Sequence, residues 1–282
     1  MLCLGNQVVK FFYSFIWVAL FFVALFFVVV EGTAQDPAVL TQTGDAEYAN
    51  KHYAQAVTAY EQAVNALSSR ADPVPRADAE LKLLNALLWS SDWGRCYKLS
   101  QSLMEAYDHH IAPDDPRLVS ACNFSGLACE RVGHTNEAES LYRRALAIQE
   151  VRFGKDASEV AGPLHNLALC VHGTGRYKEA EELYRRLLAI NEKQYGVDDP
   201  RLAHEIDGIA CMLNAQNKTQ EALPYYRRSA LIKEQEQFRR THRPVNSLFY
   251  TSFYADALRK LAWTSDQISA ELQSIANEAQ SK

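Results

Sequence analysis

The chain carries no excess of positive charge: 29 Lys and Arg stand against 34 Asp and Glu, a formal net charge of −5. Nucleic-acid binders gather basic residues on one face, so this balance argues against nucleic acid as a partner. There is no CxxC pair and no HExxH stretch, which removes the familiar spacings of zinc knuckles and metal helices. A glycine-rich phosphate loop and a nucleophile elbow are also missing. The sequence therefore assigns no catalytic residue, no metal ligand and no cofactor, and no small-molecule substrate is expected.

Apolar residues are plentiful. At 48% hydrophobic and 22% charged residues, the composition is that of an ordered protein. Twenty uncharged residues, "FFYSFIWVALFFVALFFVVV", run from Phe11 to Val30 between Lys10 and Glu31. A helix of that length spans roughly 30 Å, the thickness of a bilayer core. With Lys10 on the cytoplasmic side, the positive-inside rule sends the rest of the chain across the membrane, to a periplasmic or extracellular location. Small residues in "GTA", ending at Ala34, would suit a signal peptidase, whereas the long apolar core would suit a retained anchor. Residues 1–34 are thus a signal peptide or an N-terminal membrane anchor, and residues 11–30 contact the membrane if they are not cleaved.

The main signal is a repeat. "LYRRALAIQE" at 141–150 returns 42 residues later as "LYRRLLAINE" at 183–192, and again as "YYRRSALIKE" at 225–234. "DDPRL" occurs at 114–118 and 198–202, two periods apart. Each period contains two helix-length stretches separated at "GHTN", "GRYK" and "NKTQ", with Gly133, Gly175 and Asn217 aligned. Gly and Asn readily take the left-handed conformation that ends a helix. Ala138, Ala180 and Ala222 then align where paired helices approach closely, and Tyr142, Tyr184 and Tyr226 cover the contact.

Asp115 and Asp199 read as helix caps ahead of Pro116 and Pro200. Asp156 and Ser158 offer the equivalent in the middle repeat, where Pro163 is expected to delay or kink the helix and leave that pair the least regular. Five cysteines follow Ala34, and four of them, Cys122, Cys129, Cys170 and Cys211, align with apolar positions, as core side chains would. Glu139 precedes Arg143 by four residues, as Glu181 and Glu182 precede Arg185 and Arg186, so the Arg pairs read as a solvated salt-bridge face. His109 and His110, near Asp114 and Asp115, are the closest approach to a catalytic cluster, with His165 and His172 next. The first pair reads as a loop between two repeats.

With small slips the register extends back through Cys96 and Ala56. The prediction is an all-α, right-handed superhelical solenoid of antiparallel helix pairs: five hairpins over 40–240 and C-terminal capping helices over 245–282.

The stretch "HNLALCVHGTGRYKEAEELYRRLLAINEKQYGVDDPRL" (165–202) resembles the tetratricopeptide repeat, in the 42-residue form of kinesin light chains, and the resemblance covers roughly 40–240. The resemblance implies a non-enzymatic scaffold that binds an unidentified protein or peptide in a concave groove lined by the first helix of each pair. By register that groove holds Lys82, Asn85, Asn123, Phe124, Glu130, Arg131, His165, Asn166, His172, Asp207 and Asn214. Asn166 occupies the family's favoured asparagine position, while Phe124 and Gly208 replace it in the flanking repeats. The chain lacks the long heptad region that would join it to a motor. The alternative readings are a self-associating envelope protein, with "SLFYTSFY" (247–254) as the contact, and an enzyme with a site in the groove.

Overall fold

The computed structural model describes residues 36–68, 71–241 and 252–281. The apolar stretch at 11–30 lies outside them. Among the described residues no helix is long and apolar enough to cross a membrane, and no strand occurs. The chain divides into two compact units, one ending at Ala112 and one beginning at Pro113.

The first unit contains α1 (Pro37–Ala49), α2 (Tyr53–Leu67), α3 (Val74–Ser90) and α4 (Trp93–His110). The second contains α5 (Pro116–Arg131), α6 (Thr135–Phe153), α7 (Ala161–Gly173), α8 (Tyr177–Tyr195), α9 (Ala203–Ala215), α10 (Thr219–Thr241), α11 (Ser252–Lys260) and α12 (Ser265–Ser281). Consecutive helices pair as hairpins, and one backbone device closes each pair. Lys51, Ser91, Gly133, Gly175, Asn217 and Ala262 all have positive φ, between 62° and 88°. In four of these turns the next N–H reaches back five residues to a helix carbonyl, as His134 does to Cys129 at 2.8 Å and Trp263 to Leu258 at 3.1 Å. This bond caps carbonyls that would otherwise be orphaned at the helix end. Ala262 marks α11 and α12 as a sixth hairpin built like the others.

Packing follows the register. Ala56, Cys96, Ala138, Ala180 and Ala222 are fully buried, and Tyr60, Tyr142, Tyr184 and Tyr226 lie beside them almost without exposure. Small residues let the helices approach, and the large rings fill the space left alongside. The second helix of one pair also packs on the first helix of the next, so the core runs through each unit as a stack.

The helix starts differ from the sequence expectation in two respects. Asp115 and Asp199 cap as expected, accepting the N–H of Arg117 and Arg201 at 2.8 and 2.9 Å. Asp156 and Ser158 do not cap: a 3-10 turn, Ser158–Val160, precedes α7 with no side-chain cap, and the Ser158 hydroxyl donates to Glu159. Nor is the middle pair uniquely irregular. The same 3-10 entry, Pro200–Leu202, precedes α9 despite its Asp cap. Pro163 is buried within the opening turns of α7, where the missing donor is tolerated.

Cys96, Cys122, Cys129 and Cys170 are buried. Burial pushes the Cys129 thiol up to about 12 and the Cys96 and Cys170 thiols up to about 11. Cys211 is only partly buried and accepts the Tyr226 hydroxyl at 3.6 Å.

Candidate functional site: the faces of the first helices

In each of the second to fifth hairpins the residues named for the groove share one stripe of the first helix. On α7, positions 165, 166, 169 and 172 recur at helical spacing and so face one way. Contacts between successive first helices show that these stripes adjoin within a unit. Asn166 Nδ2 donates to Asn123 Oδ1 at 3.2 Å, which joins α7 to α5. The His165 and His204 rings stand 4.9 Å apart and join α7 to α9. Lys260 Nζ donates to Asn214 Oδ1 at 3.2 Å and joins α11 to α9.

In the second unit, Glu130 accepts the Tyr142 hydroxyl at 2.8 Å. Burial pushes that hydroxyl well above the ordinary tyrosine range, with the nearby carboxylate second, so it remains a donor. Asp207 pairs with Lys233, and Asn214 also accepts the Thr219 hydroxyl at 2.9 Å. Phe124 is half-buried, whereas Arg131 and His172 are exposed. Burial first, and the neighbouring His204 second, hold His165 below the ordinary histidine value, so it favours the neutral ring. His172 does not join it. Its ring lies 6.3 Å from Tyr177, near the turn that ends the helix.

Lys82 and Asn85 belong to the first unit. Lys82 Nζ donates to both Asp45 oxygens at 2.7 and 2.8 Å, and Asp45 also accepts the Tyr60 hydroxyl at 2.8 Å. Asn85 accepts from Tyr48, whose own oxygen accepts the Trp89 indole N–H at 3.0 Å. Trp89 stacks on Tyr53 with centroids 5.3 Å apart, yet 61% of it remains exposed.

Sequence reasoning passed over Trp89, Leu169, His204 and Lys233. The first two were within its reach, because Trp89 aligns with Arg131 and Leu169 lies between Asn166 and His172 on the same stripe. His204 and Lys233 act through contacts that a register does not contain. Gly208, in place of the favoured asparagine, has a packing cause. A Cβ there would meet the Tyr184 ring at 2.8 Å, so the ring occupies the space that a side chain would need.

The histidine pair at 109–110 is helical, not a loop: both residues form the last turn of α4. Histidine is well placed there, opposite the negative end of the helix dipole. Asp115, once grouped with that pair, is committed to its cap and to Arg117. Among the described residues no group of three or more His, Cys, Asp and Glu is arranged to hold a metal ion.

The Arg pairs serve the contacts between hairpins. Arg143 bridges Glu139 at 2.8 Å and Glu179 at 2.5 Å, and Arg176 bonds both of those carboxylates, which closes a ring of four charges across α6 and α8. Arg185 takes Glu181 at 2.7 Å, and Gln216 takes its second oxygen. Arg186 departs from the i,i+4 expectation. Arg186 reaches Glu150 and the Lys155 carbonyl, and Arg228 repeats this on Glu192 and the Val197 carbonyl. Glu182 stays exposed. The repeated decapeptide therefore carries both halves of a clamp, since its arginine grips the glutamate that ends the preceding copy.

The comparisons with known proteins agree with this architecture. Models of the tetratricopeptide repeat match residues 121–150 and 159–235. The nearly identical TPR-like repeats assigned to a kinesin light chain of Podosopora anserina superpose with a TM-score of 0.62 at 19% identity, covering 72% of this chain and 99% of that one. BtubC (BKLC) from P. vanneervenii gives 0.61 at 15% identity, covering 69% and 78%. MamA gives 0.54 at 16% identity, covering 74% and 97%. No curated protein sequence matches the chain. At these identities the structures speak to fold alone, and the matched models supply the repeat. Residues 121–150 and 159–235 carry tetratricopeptide repeats, and the described residues share the fold of the kinesin-light-chain-like repeat structures.

Proposed function

We propose that the chain is an exported or membrane-anchored scaffold that docks a protein or peptide against the first-helix face of its second unit. The observation that carries this reading is the composition of that face. Half-buried Phe124 and Leu127 and exposed Leu169 alternate with Asn123, Asn166, His165 and Asn214, an apolar line with polar neighbours suited to a peptide. On the second helices, by contrast, Arg143, Arg186 and Arg228 are spent on carboxylates of the neighbouring hairpin. Repeat folds of this type commonly present surfaces to other proteins, and no residue is assigned to a chemical step. The direction of export rests on the apolar stretch at 11–30 and its flanking charges.

The test is affinity capture from the native membrane fraction with the full chain, beside a Phe124→Glu/Leu169→Glu variant and a Glu182→Lys control on α8. The reading expects one recovered protein, kept by the control and lost by the face variant. Equal recovery by all three forms would contradict it. Self-association is the second reading, favoured by Phe253 and Trp263, which are 61% and 38% exposed on the last hairpin. Light scattering that finds a monomer at high concentration would remove it.

A further inference from the structure

The clamps of the second unit put one arginine guanidinium between successive hairpins, held by a carboxylate and a loop carbonyl. Both halves of that clamp are missing at the aligned place in the first unit. Ser102 occupies the register position of Arg186 and Arg228, and Ser68 that of Glu150 and Glu192. Furthermore, α2 has 15 residues where α6 and α8 have 19, so it stops a turn earlier. Beside Ser102 a cavity of about 290 Å³ opens, lined by Arg76, Glu80, Glu105, His109 and His110 among others.

Glu80 makes this cavity unlike a packing fault. It is 3% exposed and occupies the register position of Cys122, Leu164 and Ile206, all fully buried apolar residues. Burial pushes its carboxyl above the ordinary glutamate value, against the pull of Arg76, whose Nε donates to Oε1 at 2.9 Å. A carboxylate at such a position is costly unless cations and donors surround it. The lining offers two carboxylates, Glu80 and Glu105, to the single guanidinium of Arg76, which is itself 46% exposed. The two imidazoles add flat faces of the kind on which a guanidinium stacks.

We propose that this cavity takes a guanidinium group from outside the chain, in the place that Arg186 and Arg228 fill in the later hairpins. Glu80, Glu105 and the Ser102 hydroxyl accept its N–H donors, and one of the two histidine rings, which stand edge-to-face at 69°, offers its face to the guanidinium plane. None of the candidate groove residues lines the cavity, so this site stands or falls separately from the docking face.

Calorimetric titration of argininamide into the detergent-solubilised full chain tests the proposal, with uncharged citrullinamide as the control of equal shape. Binding of argininamide should exceed that of citrullinamide by about tenfold or more. Ser102→Arg should weaken argininamide by a similar factor, because its own guanidinium fills the cavity, and Glu105→Gln should weaken it less. An acetylated Gly-Arg-Gly amide separates two sources of the same chemistry: tighter binding than argininamide points to a partner's arginine, and equal binding to a free small molecule. The proposal is overturned by no heat from argininamide with the native sequence, or by equal binding of citrullinamide. It is equally overturned by undiminished binding to a Ser102→Arg chain whose circular dichroism shows it folded. Should Ser102→Arg misfold, undiminished binding to Glu105→Gln decides in the same sense.

Discussion

In the second unit the contact between α6 and α8 is closed by four charges, Arg143, Glu139, Arg176 and Glu179. In the first unit, Glu61 stands at the register position of Arg143 and Arg95 at that of Glu179, and these two form a bridge of reversed sign. The later clamp is replaced there by a cavity around Glu80. Yet both units use the same left-handed turn and the same buried small residue to pair their helices. The difference teaches that the turn and the close-packed positions define the hairpin, while the charged contacts tune which faces stay open. Four kinds of substitution test that division.

The largest effect should come from the shared packing. Tyr142→Ala removes an almost fully buried ring, and a loss of about 3–5 kcal/mol is expected from such truncations. Urea unfolding followed by circular dichroism measures it; a loss no larger than that of a surface change would break the argument.

Next comes Gly208→Ala. The added Cβ meets the Tyr184 ring at 2.8 Å, and overpacking of this kind costs about 1–3 kcal/mol. The same unfolding experiment reads it, and an unchanged midpoint would show that the ring yields freely.

The turn predicts opposite signs in the two units. Replacing Gly133 or Gly175 by Ala should destabilise, whereas Lys51→Gly and Ser91→Gly should stabilise, each by about 1 kcal/mol, since a left-handed conformation disfavours any Cβ. Thermal midpoints that move in one direction for all four would refute the common turn.

Charge should matter least. Arg143→Ala is expected to lose no more than about 1 kcal/mol, less in high salt, because the arginine is half exposed. The pH dependence carries a clearer sign. Burial raises the Glu139 and Glu181 carboxyls, but their arginine and glutamine hydrogen bonds outweigh it and hold both below the ordinary glutamate value. Their stabilisation is therefore present above the unfolded value of about 4.3 and disappears as pH falls through the folded one. Glu80 runs the other way: its contribution is complete below about 4.3 and is lost as pH rises through its raised folded value. Stability against pH for Glu80→Leu should accordingly fall less than for the native chain between about 4.3 and the raised folded value; identical curves would contradict the assignment.

Much of this fold was legible because a 42-residue register fixes the turn residues and the alanine and tyrosine positions at once. The sixth hairpin was harder to see, since its left-handed residue, Ala262, lies 45 residues after Asn217 and is neither Gly nor Asn. Local spacing also misdirected the reading of Arg186. Glu182 lies four residues before Arg186, but Glu150 of the preceding copy, together with the Lys155 carbonyl, holds that guanidinium. On the candidate face, register placed the stripe but not the contacts across it: the His165–His204 pair joins the first helices of two hairpins, and the Lys233 bridge to Asp207 joins the two helices of one.

The most direct test of the account is site-specific photo-crosslinking in native membranes, with benzoylphenylalanine placed at Leu169 on α7 or at Glu182 on α8. The account predicts a discrete protein adduct from position 169 and none from 182. An adduct from position 182 with none from 169 would contradict it.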